Sequence, residues 1–206
     1  TVFSFHAAKN IVTGEGGVVT TDNEELYKKL LLLRSHGIDK STMQRYGADA
    51  GYEYDMKVLA RNYRITDVQC AIGLTQLRRF NEFFSRRQKI VEMYNKALSK
   101  IPEVTLPFVS PNVRHGWHIY TILLNGVDRD AFFKEMKSQN IGVNVHYIPV
   151  YRHTYYKNRF SINPKDFPVT EDIFKRIVTL PLFPKMADED VNDVITATKE
   201  TIEKLR

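Results

Sequence analysis

The sequence predicts a protein of mixed helices and strands whose second half is an α+β unit, and three observations point there. Two short runs rich in β-branched and aromatic residues, VFSFH (2–6) and GVVTT (17–21), open the chain. A long helical segment carries apolar residues at three- and four-residue spacing from Leu77 to Leu98. Beyond it, Pro102, Pro107 and Pro111 mark the passage into a second unit. There the order runs β-α-β and closes on a helix, the pattern of helices packed on a small sheet.

Taken in order, the two opening runs read as strands because turn signals bound them. A helix is expected from about Asp22, which can N-cap, with Glu25 three residues on as an acidic variant of the capping box. Leu26, Leu30 and Leu33 make its buried stripe, and Gly37 suits its C-terminal stop. From Ser35 to Arg61 the pattern is irregular, and Gly47 and Gly51 among polar residues suggest a long surface loop. Thr66 and Gln69 form a capping box at the start of the next helix. That helix is expected to run to about Lys100 and to bury Leu77, Phe80, Phe84, Val91, Tyr94 and Leu98.

In the second unit WHIYTILL (117–124) reads as a strand. Asp128 can cap a helix carrying Phe132, Phe133 and Met136, ended by Asn140, Ile141 and Gly142. VNVHY (143–147) reads as another strand, a Pro- and Tyr-rich stretch follows, and IVTLPLFP (177–184) closes with an extended segment. The last helix buries Val191, Val194, Ile195, Thr198, Ile202 and Leu205. The expected division is therefore 1–100, which ends with the long connecting helix, and 101–206.

With 206 residues and 43% hydrophobic content, the chain can build one large domain or one and a half. The longest leucine run, Leu30 to Leu33, is far short of a membrane span. No signal or lipidation motif is visible in these 206 residues. The single Cys70 excludes an internal disulfide, which suits a reducing cytoplasm. The net charge of +6 permits an anionic partner. Arg78, Arg79, Arg86 and Arg87 form two basic pairs, but Glu82 lies between them and 24 acids are spread among 30 bases. Solvated helix faces explain the pairs. No nucleic-acid partner is expected, while a phosphorylated small substrate suits the charge.

Lysine acts as a nucleophile through its neutral amine, and its clearest use is a Schiff base with a carbonyl, that of pyridoxal phosphate included. Lys9 follows a short apolar run. Ser4 could reach a phosphate oxygen, and His6 could stack or shuttle protons. GEGG (14–17) gives a tight backbone turn near a ligand, because glycine tolerates positive φ and close approach. The residues alone leave plainer alternatives open: Lys9 as a surface lysine, and GEGG as a hairpin turn or a turn leading into a strand. His115 and His118 in HGWH raise a metal pair, but no Cys, Asp or Glu stands at ligand spacing, so no metal is expected.

The segment SFHAAKNIVTGEGGVVTTD (4–22) resembles the cofactor-lysine segment of the nucleotide-sugar aminotransferases of the DegT/StrS type. Their pattern is Ser-Phe-His, two residues, Lys, then a Gly-rich EGG entering a strand. RSHG (34–37), RNYRITDVQCAIGLTQL (61–77) and GVNVHYIPVY (142–151) match in order, and LPLFPKMADEDV (180–191) resembles the family's C-terminal segment. The resemblance thus covers essentially the whole chain.

The resemblance implies a pyridoxal-phosphate-dependent aminotransferase of the α/β class. Its fold is the C-terminal part of an aspartate-aminotransferase-type fold: the remainder of the large α/β domain plus a small α+β domain. Lys9 is then the lysine bonded to the cofactor and afterwards the acid/base of the proton shift, with His6 beside it. Ser4 binds the cofactor phosphate. Asn62, with Arg64 close by, reaches that phosphate from the neighbouring subunit, so the active site is shared across a homodimer. His146 and Tyr147 face the sugar nucleotide, and His36 lies near the site. Asn62 and Arg64 also read simply as the end of the loop before the capping box, and His146 as a satisfied histidine at a strand end.

A side branch of the family has histidine in place of the lysine and removes a hydroxyl group instead; Lys9 implies transamination. The implied donor is an amino acid, glutamate, and the acceptor a keto-sugar nucleotide in amino-sugar and surface-polysaccharide biosynthesis. The similarity is greatest to enzymes acting at the sugar's C4, with C3 as the alternative. The family's chain is considerably longer. The Asp paired with the pyridine nitrogen, the aromatic residue stacked on the ring and a phosphate-binding turn are expected upstream of Thr1. The 206-residue chain alone is expected to be inactive, the alternative function being a fragment that only folds and dimerises.

Overall fold

A computed structural model describes residues 1–39 and 52–206. They fall into two compact units, Thr1–Phe80 and Asn81–Arg206. Gly47 and Gly51 of the expected loop lie outside the described residues. No helix among the described residues is long and apolar enough to cross a membrane.

In the first unit β1 (Val2–Ser4) pairs antiparallel with β2 (Gly17–Val19), with Val2 opposite Val19 and Ser4 opposite Gly17. Both strands are shorter than the runs that suggested them: β1 ends at Ser4, where residues 5–16 leave the ladder as a loop, and β2 ends at Val19. Helix α1 (Glu24–Arg34) is capped by Asn23, not Asp22: the Asn23 side chain accepts from Leu26 N–H at 2.8 Å. Its end is as expected. Ser35 N–H and Gly37 N–H both donate to the Leu32 carbonyl, and Gly37 has φ +70°, where a Cβ would run into the Val58 carbonyl oxygen. The leucine stripe of α1 is not buried. Leu26 is 44% exposed, and no residue of the helix is buried, since no described element covers that face.

The capping box at Thr66 and Gln69 is present and starts α2 (Asp67–Arg78). The single long helix is instead two. Arg79 leaves helical geometry at φ −94°, ψ 3°, its N–H bonds back to Gln76, and α3 (Phe80–Leu98) begins after it. The buried stripe starts later than expected: Leu77 is 55% exposed and Phe80 half-buried, whereas Phe84, Arg87, Ile90, Val91, Tyr94 and Leu98 are buried.

The second unit is a three-stranded antiparallel sheet in the order β3 (Val104–Thr105), β4 (Tyr120–Leu124), β5 (Ile177–Leu180). Along β4 the alternation is that of a strand buried on one face: Tyr120, Ile122 and Leu124 are fully buried between half-buried neighbours. Helices α3, α4 (Arg129–Ser138) and α7 (Asp188–Leu205) contribute Ile90, Tyr94, Phe132, Met136, Val191 and Ile202 to one core with the strands. Asp128 caps α4 as expected, accepting from Ala131 N–H at 2.6 Å, and Asn140 ends it at φ 61°. In α7 Leu205 is half-buried rather than buried, and Ala197 and Thr201 are buried besides the expected residues.

VNVHY is not a strand. It makes one bridge, Asn144 opposite Thr179, with backbone hydrogen bonds of 3.1 and 2.7 Å in the two directions. Pro149 follows closely and cannot donate to a ladder. The Pro- and Tyr-rich stretch then folds as a 3-10 turn (Val150–Arg152), α5 (Thr154–Arg159), a second 3-10 turn (Pro164–Asp166) and α6 (Pro168–Arg176).

At the start of α7 the Asp188 carboxylate receives Lys89 Nζ at 2.6 Å and Arg86 Nη1. These hydrogen bonds, Lys89's first, hold its pKa below the ordinary 3.8. A carboxyl depressed in the folded state stabilises the fold above the unfolded pKa, and that contribution is lost as pH falls through the folded value. Asp188→Asn is therefore expected to lower stability at neutral pH and to flatten the decline below about pH 4. Urea denaturation of both proteins across pH 2–7 measures this; parallel acid limbs would contradict it.

Candidate functional site

The Lys9 loop is closed at its base. Phe5 N–H donates to Gly16 O at 2.8 Å, and Thr13 N–H to Phe5 O at 2.9 Å. Thr13 is 3% exposed, and its hydroxyl donates to the Glu15 carbonyl at 2.7 Å. The same carbonyl accepts from Gln69 Nε2 at 2.9 Å. Gln69 thus caps α2 with its oxygen and grips the loop with its nitrogen. The methyl of Thr13 lies against Gly73 of α2, where an added Cβ would sit 3.1 Å from it. Gly16, at φ +148°, leaves no room either: a Cβ would come within 2.7 Å of Thr13 Oγ1 and 3.0 Å of Ile65 Cδ1. GEGG is therefore the end of a long docked loop that leads into a strand, with Gly17 the first residue of β2.

Within the loop a tight turn brings Ser4, His6 and Lys9 together. Ser4 Oγ accepts from His6 N–H at 3.3 Å, His6 Nδ1 accepts from Ala8 N–H at 3.1 Å, and Lys9 N–H donates to His6 O at 2.9 Å. Because Nδ1 is an acceptor here, the neutral His6 ring carries its proton on Nε2. That atom lies 3.8 Å from the Glu15 carboxylate, with both side chains more than half exposed, so the attraction is weak. Lys9 is half-buried.

His36, Asn62 and Arg64 meet elsewhere in the same unit. Ser35 bridges Asn62, His36 N–H donates to Arg61 O at 2.8 Å, and Arg64 Nη1 donates to Ser35 Oγ at 3.0 Å. His146 and Tyr147 belong to the second unit, their rings edge to face at 4.5 Å. His146 Nδ1 lies 2.7 Å from Thr179 Oγ1. Downstream, the Glu171 carboxylate pairs with Arg152 and accepts from Tyr151 at 2.8 Å; the Arg152 bond and then the Tyr151 bond hold its pKa below the ordinary value.

The pair in HGWH has another use. His115 Nδ1 accepts from Trp117 N–H at 3.0 Å, and the two rings lie 4.2 Å apart at the edge of a groove of about 650 Å³. His118 precedes β4. Thr13, Gln69, Gly73, Thr179 and Glu171 escape a reading of the sequence, since each acts through a partner far along the chain. Only Gln69 carries a visible signal, its place in the capping box.

The sequence profile of the DegT/DnrJ/EryC1/StrS aminotransferase family matches residues 1–199. The chain belongs to that family. It is 40% identical over 210 residues to the uncharacterized protein MJ1066 of Methanocaldococcus jannaschii, covering 100% of this chain and 54% of that one. It is 40% identical over 207 residues to the spore coat polysaccharide biosynthesis protein SpsC of Bacillus subtilis, covering 98% and 53%. The fold superposes with a TM-score of 0.89 on Spr1654 of Streptococcus pneumoniae, at 31% identity over 100% of this chain and 53% of that one. For PseC of Helicobacter pylori, an aminotransferase involved in pseudoaminic acid biosynthesis, the TM-score is 0.84 at 28% identity, covering 98% and 53%. The chain spans about half the length of the relatives it matches. The expected fold, part of a pyridoxal-phosphate-dependent aminotransferase, is thus borne out.

DegT/DnrJ/EryC1/StrS aminotransferases depend on pyridoxal phosphate, and Spr1654 is known in forms with pyridoxal phosphate and with pyridoxamine phosphate. The donor set fits that group in kind. Lys9 offers a half-buried amine to an aldehyde, on a loop fixed from below by α2. Ser4 Oγ accepts from His6 N–H, and a hydroxyl in that role can still donate its own proton, as a phosphate oxygen requires.

Docking of the loop gives a direct test. Gly14, at φ +82°, has no atom within 4 Å of an added Cβ, so Gly14→Ala carries only the backbone penalty, about 1–2 kcal/mol. Gly16→Ala adds the clash with Thr13 and Ile65. Limited proteolysis is expected to cut within residues 5–16 several-fold faster in Gly16→Ala than in Gly14→Ala, with the second unit equally resistant in both.

Proposed function

We propose that, within an enzyme of its relatives' length, this chain supplies the lysine and part of the cofactor cradle of a sugar aminotransferase. The enzyme moves an amino group from glutamate to a keto-sugar nucleotide, for amino-sugar and surface-polysaccharide synthesis in the cytoplasm. The observation that carries this reading is the loop 5–16: one half-buried lysine, held by Gln69 and by the Thr13–Gly73 contact, in a family that uses pyridoxal phosphate.

When bound, pyridoxal phosphate supplies an aldehyde for an amine and a ring that takes up the electrons released at the reacting carbon. Lys9 would hold that group through its side-chain amine, and the same amine would hold and move the proton at the reacting carbon. His6 stands beside it with its proton on Nε2. The Ser4 hydroxyl donates to the cofactor phosphate. Asn62 reaches the phosphate of the neighbouring subunit's site in a homodimer, with Arg64 adding charge. His36, His146 and Tyr147 contact the sugar nucleotide. The names of SpsC and PseC, in polysaccharide and pseudoaminic acid biosynthesis, support the substrate class. The net charge of +6 suits an anionic substrate. Lysine at position 9 supports amino transfer over hydroxyl removal.

Glutamate added to the full-length enzyme is expected to convert its pyridoxal form to the pyridoxamine form, followed by absorbance. Lys9→Ala is expected to slow that conversion by about 10²–10⁴-fold or more, the range general acid–base catalysis spans. The 206-residue chain alone is expected to give none. Conversion by Lys9→Ala at the unaltered rate would remove Lys9 from the chemistry.

A further inference from the structure

Thr179 sits on β5 at 6% exposure, opposite Thr121 of β4 on one side. On its other side it exchanges both backbone hydrogen bonds with Asn144, so its N–H and carbonyl are occupied. Its hydroxyl has one partner among the described residues, His146 Nδ1 at 2.7 Å. A buried hydroxyl proton is donated wherever an acceptor stands in reach. Nδ1 is the acceptor in reach, so it carries no proton itself, and the neutral imidazole holds its hydrogen on the other ring nitrogen.

We infer that Thr179 is a positioning residue, fixing His146 as the Nε2–H tautomer and so as a hydrogen-bond donor to an acceptor oxygen of the ligand. The inference rests on the reading of His146 as a sugar-nucleotide contact, and it deepens that reading. The oxygens of a sugar nucleotide, on phosphate, hydroxyl and carbonyl, are the chemistry such a donor takes. It also divides the work: His146 binds, and proton movement stays with Lys9. The bridge at Asn144 sets the distance, because it anchors the segment two residues before His146 to the residue that carries the hydroxyl. Tyr147 lies edge to face with the imidazole at 4.5 Å.

The test is the tautomer itself. The chain is labelled with ¹⁵N-histidine, and long-range proton–nitrogen correlations are recorded at a pH where the ring is neutral, with His146→Gln assigning the signals. Nε2 protonated and Nδ1 bare is the expected result. Thr179→Val keeps the side-chain shape without the hydroxyl and is expected to release a mixture of tautomers; Thr179→Ser is expected to restore the single form. A protonated Nδ1 in the unaltered protein, or an unchanged tautomer in Thr179→Val, overturns the inference. If Thr179→Val does not fold, as judged by circular dichroism, the unaltered protein and Thr179→Ser still decide. Adding UDP-N-acetylglucosamine as a probe separates the two readings. A shifted His146 Nε2–H signal supports both. No shift with the expected tautomer counts against His146 as a contact for this nucleotide and leaves the tautomer established.

Discussion

Arg87 buries a guanidinium inside the second unit, and its Nη1 donates to the carbonyls of Trp117 at 3.0 Å, His118 at 3.3 Å and Leu182 at 2.9 Å. Those carbonyls stand where the chain enters β4 and where it has just left β5, so one atom on α3 ties the helix to both strands. Among the described residues no carboxylate pairs with it, and burial pulls its pKa below the ordinary arginine value. Taking such a charge out of water costs several kcal/mol, which carbonyl dipoles must offset. The arrangement also holds Trp117 at φ 43°, a left-handed conformation that a tryptophan does not adopt without support. Two tyrosines act in the same sense. Tyr94 donates to Pro181 O and Tyr120 to Asn95 Oδ1, each at 2.7 Å, and burial pushes both hydroxyls well above their ordinary pKa. With β5 fixed against α3 and β4, Thr179 is fixed, and through it the ring of His146.

The first unit is built differently. Its site is held by neutral contacts of a loop against α2; among the described residues Thr13 is buried, while Val2, Phe3, Val18 and Val19 on the two strands are 41–77% exposed. Helix α1 likewise leaves its leucines open. Among the described residues the loop that carries Lys9 is docked through Gln69 and the Thr13–Gly73 contact, so a small change at Gly16 or Gly73 reaches it.

Much of this was legible in the sequence where the determinant is local. The caps at Thr66 and Asp128, the stop at Gly37 and the lysine motif each involve residues a few positions apart. Adjacent cap-competent residues defeated the choice between Asp22 and Asn23, which only the reach to Leu26 N–H decides. The break at Arg79 carries neither Gly nor Pro, so the apolar period runs through it. VNVHY alternates like a strand, but its partner offers a single bridge. Arg87 was findable: positions 84, 87, 91, 94 and 98 continue one three-four stripe, and a charged residue within it signals a buried cation rather than a solvated face. The His146–Thr179 and Glu15–Gln69 pairs join residues 33 and 54 apart, beyond any local pattern.

The proposed role of Lys9 rests on one bond, that which its amine would form with the cofactor aldehyde. Full-length enzyme incubated with pyridoxal phosphate and reduced with borohydride fixes that bond permanently, and peptide mapping then locates it. The account predicts a pyridoxyl label on the peptide carrying Lys9. A label on any other lysine, with Lys9 unmodified, would contradict it.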